Sequence, residues 1–111
     1  FREVATLAGT LMVEMPSCPA ARNHTIHNYH GALDENVPVA GGFGTRGVTN
    51  INFTSQAKAK ALFENSGGRY LLDVLPGADH SVEHLSSSSQ KQDGLTIGER
   101  LARDLRLVSA Y

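Results

Sequence analysis

The stretch Tyr70-Leu71-Leu72-Asp73-Val74-Leu75-Pro76-Gly77-Ala78-Asp79-His80 decides the fold. Its first part, Tyr70 to Leu75, is a largely apolar run of strand length. Pro76-Gly77 ends it, and a histidine follows on the loop. Upstream, His30-Gly31-Ala32-Leu33-Asp34-Glu35-Asn36-Val37-Pro38 reads as a strand end, an acidic turn and a re-entry. Parallel strands present their C-terminal ends at one edge, where sites collect. A right-handed crossover between the two strands sets Asp34 and His80 side by side. A carboxylate that orients an imidazole, and an imidazole that moves protons, is what that juxtaposition offers. Taken singly, Asp34 is a turn acid and His80 a loop histidine, so the pairing rests on topology.

Working outward, Val4 to Gly9 is a short apolar run suited to a buried parallel strand. Leu11 to Met15 is ambiguous between strand and loop. Pro16 and Pro19 bracket Cys18 and favour irregular backbone. Thr25 to His30 reads as a second strand, polar for a central one. Val37 to Gly47 reads as a glycine-rich loop. Thr54 or Ser55 caps a helix running through Asn65, which Gly67 and Gly68 stop. On that helix Ala57, Ala61 and Leu62 are expected to face the sheet, with Lys58, Lys60 and Glu64 outward. Ser86 to Ser89, with Gln90, Lys91 and Gln92, reads as polar, low-complexity loop. Thr96 with Glu99 makes a capping box for a last helix. Ile97, Leu101, Leu105 and Val108 form its apolar stripe, with Arg100, Arg103, Asp104 and Arg106 on the other faces.

Strands alternating with helices imply an α/β fold with a parallel sheet. Three strands and two helices leave sheet edges and faces uncovered, which implies a partner that completes the sheet. A chain of 111 residues is one domain at most. Apolar content of 41% is that of a globular protein, and a net charge of −1 lacks the basic footprint of a nucleic-acid binder. No apolar run approaches the length of a membrane span. Phe1 is neither an initiator methionine nor the start of a signal-peptide layout, so the chain reads as the inside of a longer one. Cys18 has no second cysteine to pair with, and is either a buried thiol or a disulfide to a segment beyond this sequence.

Other constellations carry less. His24, His27 and His30 are spaced by three, but on a strand they alternate faces, and no further ligand completes a metal set. His84, four residues past His80, is a solvated loop residue or a group behind the site. Gly41-Gly42-Phe43-Gly44-Thr45-Arg46-Gly47 lacks the ending of a phosphate loop. It reads as a flexible segment near the site mouth, from which Phe43 or Arg46 could touch a substrate. Asp73 lies inside a strand and Asp79 adjoins the histidine, so neither is placed to orient it. Asn23-His24-Thr25 and Asn52-Phe53-Thr54 match the glycosylation pattern about as often as chance allows.

These motifs resemble those of the polyhydroxybutyrate-depolymerase and feruloyl-esterase-like α/β hydrolases. That group carries an H-G-x-x-D-x-x-V-P stretch, matched by His30 to Pro38, then a glycine-rich loop, a helix, a strand and a G-x-x-H segment, matched by Gly77-Ala78-Asp79-His80. A strand and glycine like Phe1 to Gly9 precede them. The likeness covers nearly all of residues 1–85. Ser81-Val82-Glu83 departs from the aromatic and proline that often follow the histidine.

The resemblance implies that residues 1–111 are the C-terminal portion of one α/β-hydrolase catalytic domain. Asp34 and His80 take the acid and base positions of a triad in the order Ser, Asp, His. No G-x-S-x-G occurs in these residues. The nucleophilic serine is therefore expected on an N-terminal hydrolase segment present as a separate chain, with an ester or polyester as substrate and no cofactor or metal. Secretion or a periplasmic location follows from the resemblance alone. An amidase or peptidase on the same scaffold, and a non-catalytic binding module or degenerate subunit, are the alternatives.

Overall fold

A computed structural model describes residues 3–10, 21–47 and 51–106. Its centre is the strand β2 (Thr25–Gly31), buried from His27 to Gly31. β1 (Glu3–Leu7) and β5 (Arg69–Leu75) flank it, both parallel to it, in the order β1-β2-β5. The strands called Val4 to Gly9, Thr25 to His30 and Tyr70 to Leu75 from sequence are thus all present, in the parallel sheet expected of them.

Side-chain alternation gives each face its own core. On one face Ile26, Tyr70 and Leu72 meet Ala59 and Phe63 of α1 (Gln56–Asn65). On the other, Ala5, Leu7, Tyr29 and Leu75 meet Leu85 of α2 (Val82–Asp93) and Ile97 and Leu101 of α3 (Ile97–Asp104). The result is a small α/β protein with helices on both faces of a three-stranded parallel sheet. Among the described residues no helix is long and apolar enough to cross a membrane.

Four expectations are corrected. First, α1 buries Gln56, Ala59 and Phe63, whereas Ala57 and Ala61 are exposed and Leu62 is only half-buried. The helix is rotated so that the Gln56 amide reaches buried polar groups, while Phe63 packs edge-on to Tyr70 at 6.2 Å. Apolarity alone misjudged that rotation, because a glutamine occupies the core. Ser55 caps the helix, accepting from the Lys58 N–H at 3.1 Å.

Second, Ser86 to Gln92 is not loop but the body of α2. Ser81 caps it, and Gly94 ends it in the left-handed conformation (φ 78°) that glycine takes without strain. Ser88 and Ser89 are buried and hydrogen-bonded, and Ser86 is half-buried and hydrogen-bonded. The Ser88 hydroxyl donates to the Pro76 carbonyl at 2.7 Å, Ser86 accepts from the Ile97 N–H at 3.0 Å, and Ser89 accepts from Arg100 Nε at 2.8 Å.

Third, Arg100 is buried rather than on an outer face of α3. Its guanidinium meets Asp73 at 2.9 Å and Asp93 at 2.8 Å, which offsets its desolvation. The Thr96–Glu99 capping box forms as expected. Fourth, the glycine-rich segment is not all loop. β3 (Gly42–Phe43) pairs antiparallel with β4 (Asn52–Phe53). Leu11 to Met15, Pro16, Cys18, Pro19 and Val108 lie outside the described residues.

Under α3, the Tyr29 hydroxyl donates to Asp104 Oδ2 at 2.5 Å. Burial, then the hydrogen bond to Asp104, holds the phenol well above its usual range. Burial raises the Asp104 carboxyl, but the bonds from Tyr29 and Arg103 outweigh it and leave the group below the usual range. A phenol raised in the folded state contributes stability that is full below about pH 10 and is lost as pH rises beyond it. A depressed carboxyl contributes stability present above about pH 4 and lost on acidification. The urea midpoint is therefore expected to fall on both sides of that window. Tyr29→Phe should flatten the alkaline limb in part, since the Tyr70 phenol is also raised by burial. An alkaline limb unchanged in Tyr29→Phe contradicts this account.

Candidate active site

The site is built by two loops leaving adjacent strands at the same sheet edge. β2 runs into the turn carrying Asp34, and β5 into the turn carrying His80. Backbone bonds sew the loops together: Ala32 N–H donates to the Leu75 carbonyl at 3.0 Å and Leu33 N–H to that of Ala78 at 2.8 Å. The Asp34 N–H closes its own turn onto the Gly31 carbonyl.

Gly31 is the point of closest approach. A Cβ there would lie 2.5 Å from the Ala78 carbonyl oxygen and nearer still to that of Asp79, the residue before His80. Gly31→Ala is expected to force the histidine loop outward. It should cost about 1–3 kcal/mol of stability as an overpacked site. A displacement near 1 Å is enough for about a 100-fold loss of rate in any reaction that uses the pair. Urea denaturation and turnover check the two effects, and an alanine variant with unaltered stability would refute the close-packing argument.

Asp34 and His80 meet. His80 Nδ1 lies 2.7 Å from Asp34 Oδ2. The Asp34 side chain is wholly buried, whereas that of His80 is 41% exposed. Asp34 Oδ1 accepts the N–H groups of Asn36 and Val37, each at 2.8 Å. The acid is thus desolvated but hydrogen-bonded, and the imidazole has one nitrogen engaged inside and one, Nε2, left to work outside.

His80 lines an open cavity of about 630 Å³, together with Leu33, Glu35, Asn36, Arg46 and His84 among others. Arg46 reaches it, paired to Glu35 at 3.0 Å and clipped by Thr45 and Arg46 N–H bonds to the Glu35 carbonyl. Phe43 does not: it is 61% exposed on β3 and absent from the cavity wall. Ser81 also lines the cavity, but its hydroxyl caps α2 by accepting from the His84 N–H.

The other acids are engaged elsewhere. Asp73 holds Arg100. Asp79 accepts from His84 Nδ1 at 2.9 Å and from the Ser81 N–H, and these bonds, His84 foremost, hold its carboxyl below the usual range. The Asp79–His84 pair was not foreseen because α2, which carries His84, was read as loop. The three histidines spaced by three do not converge. His24 bonds the Arg22 carbonyl, His27 lies 3.8 Å from Glu3, and His30 is buried 3.3 Å from Asp34. Among the described residues no group of three His, Cys, Asp or Glu is arranged to hold a metal ion.

Fold and site together define a small α/β protein with a buried-carboxylate–imidazole pair at the C-terminal edge of a parallel sheet. No protein-family model matches the chain, and neither a curated protein nor a solved structure matches it.

Proposed function

We propose that this chain supplies the acid and base of a serine ester hydrolase, as part of an α/β-hydrolase domain. The observation that carries the reading is the 2.7 Å bond from His80 Nδ1 to the buried Asp34, with the ring opening onto a cavity. In this chemistry His80 Nε2 takes the proton of a serine hydroxyl as its oxygen attacks the ester carbonyl. It then returns that proton to the departing alkoxide, and water repeats the cycle on the acyl-enzyme. Asp34 stays ionised, fixes the Nδ1–H tautomer and stabilises the imidazolium. In this reading the serine comes from a segment outside residues 1–111; among the described residues Ser81 is the one serine on the cavity wall, and it adjoins the base in sequence and caps a helix.

The test is intact mass spectrometry of the native protein before and after a fluorophosphonate probe. Gain of one probe mass, blocked in His80→Ala, supports the hydrolase reading. A polypeptide that takes no label defeats it and leaves a non-catalytic binding module. Paired ester and amide substrates then separate an esterase from an amidase or peptidase.

A further inference from the structure

Asp34 Oδ2 is shared. Besides His80, it faces Nε2 of His30 at 3.3 Å, and His30 is fully buried at the end of β2. The proton on that ring can be located from backbone carbonyls, which only accept. His30 Nε2 lies 2.6 Å from the Val37 carbonyl oxygen, so Nε2 carries the hydrogen. A second carbonyl gives the same answer from the far side. Gly9 O lies 2.6 Å from one amide atom of Gln56, which must therefore be its nitrogen. That nitrogen is the atom facing His30 Nδ1 at 3.4 Å, so Nδ1 accepts.

The Gln56 orientation is held on its other side as well. Its Oε1 accepts from Asn28 Nδ2 at 2.7 Å and from the Tyr70 hydroxyl at 2.6 Å. Asn28 is set in turn by donating to Gly9 O at 3.0 Å and accepting from Thr6 Oγ1 at 2.8 Å. The chain of bonds thus runs in one direction, from β1 through β2 and α1 to the acid. A buried network costs stability unless every member is satisfied, and here each amide has its partners.

We infer that His30 is a positioning residue: its Nε2–H holds the Val37 carbonyl at 2.6 Å while the ring lies against Asp34 Oδ2 at 3.3 Å, and so keeps the turn that carries the carboxylate in line with His80. The Asn36 and Val37 N–H groups on Oδ1 and His80 Nδ1 on Oδ2 give Asp34 three hydrogen bonds, with His30 Nε2 packed 3.3 Å from Oδ2. The consequence for catalysis rests on the hydrolase reading, but the arrangement itself can be tested without turnover.

The experiment is NMR of the complete protein with ¹⁵N-labelled histidine. The neutral His30 ring is expected as the Nε2–H tautomer. Gln56→Glu, which can only accept at that position when ionised, should add a proton at His30 Nδ1 while the Nε2–H stays on the Val37 carbonyl. The downfield Nδ1–H proton of His80, bonded to Asp34, should weaken or exchange faster in His30→Leu and persist in His30→Gln, whose amide still reaches as a donor. An Nδ1–H tautomer for His30 in the unaltered protein overturns the inference, as does an undisturbed His80 proton in folded His30→Leu. Fluorophosphonate labelling on the same samples judges the hydrolase reading separately.

Discussion

Replacing His80 with alanine is expected to lower kcat for ester hydrolysis by about 10⁴- to 10⁶-fold, with KM little changed. The imidazole is the group that accepts and returns the proton, so its loss removes an interaction made only on the way to the transition state. The fold should survive. The ring is 41% exposed, and its one side-chain hydrogen bond among the described residues is to Asp34. Truncation there belongs with surface changes of roughly 0.5 kcal/mol, plus the unpaired carboxylate, which keeps two backbone donors. The measurement is kcat, KM and the urea midpoint on one preparation. Wild-type turnover in a folded His80→Ala protein ends the proposal that this ring is the base.

Asp34→Asn carries the second large effect, about 10⁴-fold in kcat, and the reason lies in the turn. The N–H groups of Asn36 and Val37 both point at Oδ1. In the variant the amide oxygen must take that position, because an amide nitrogen there would face two donors. The new NH₂ group then replaces Oδ2, opposite His80 Nδ1. That nitrogen must now accept, and the proton of the neutral imidazole moves to Nε2, where it can no longer take one from a serine. The same NH₂ also takes the place of the oxygen that lies 3.3 Å from His30 Nε2, so two N–H groups crowd a buried place. A stability loss of about 1–3 kcal/mol accompanies the loss of rate. His80→Ala lacks that second penalty. The pair of variants thus separates chemistry from packing: both should be inactive, and Asp34→Asn should unfold at lower urea than His80→Ala. An Asp34→Asn protein within tenfold of the unaltered kcat excludes the acid role.

How much was legible in the chain depends on whether a signal was local. β5 and its exit were plain because an apolar run ends at Pro76-Gly77 and a histidine follows. The α3 start was plain because Thr96 and Glu99 satisfy each other's backbone groups within one turn. α2 was missed because a run of serines has no apolar period. Its burial comes from bonds to Pro76, Ile97 and Arg100, residues that only the fold brings near. The rotation of α1 was misjudged for a related reason. Gln56 is polar by composition but buried by a network drawn from β1, β2 and β5.

The site divides along the same line. Asp34 and His80 stood out because each follows a strand, and parallel strands must deliver their exits to one edge. His30 was set aside with His24 and His27, since spacing on a strand says which face a residue occupies and not what it touches.

By itself, then, the sequence determined the alternation of strands and helices, the parallel sheet, and which acid and which histidine leave it on the same side. Those follow from backbone periodicity and turn chemistry, which act over a few residues. Only the tertiary structure decided the close passage at Gly31, the burial of Arg100, and the polar chain that reaches Asp34 through His30. Each of these depends on unpaired donors and acceptors from distant segments meeting in a space that excludes water. Neither hydropathy nor spacing encodes that meeting.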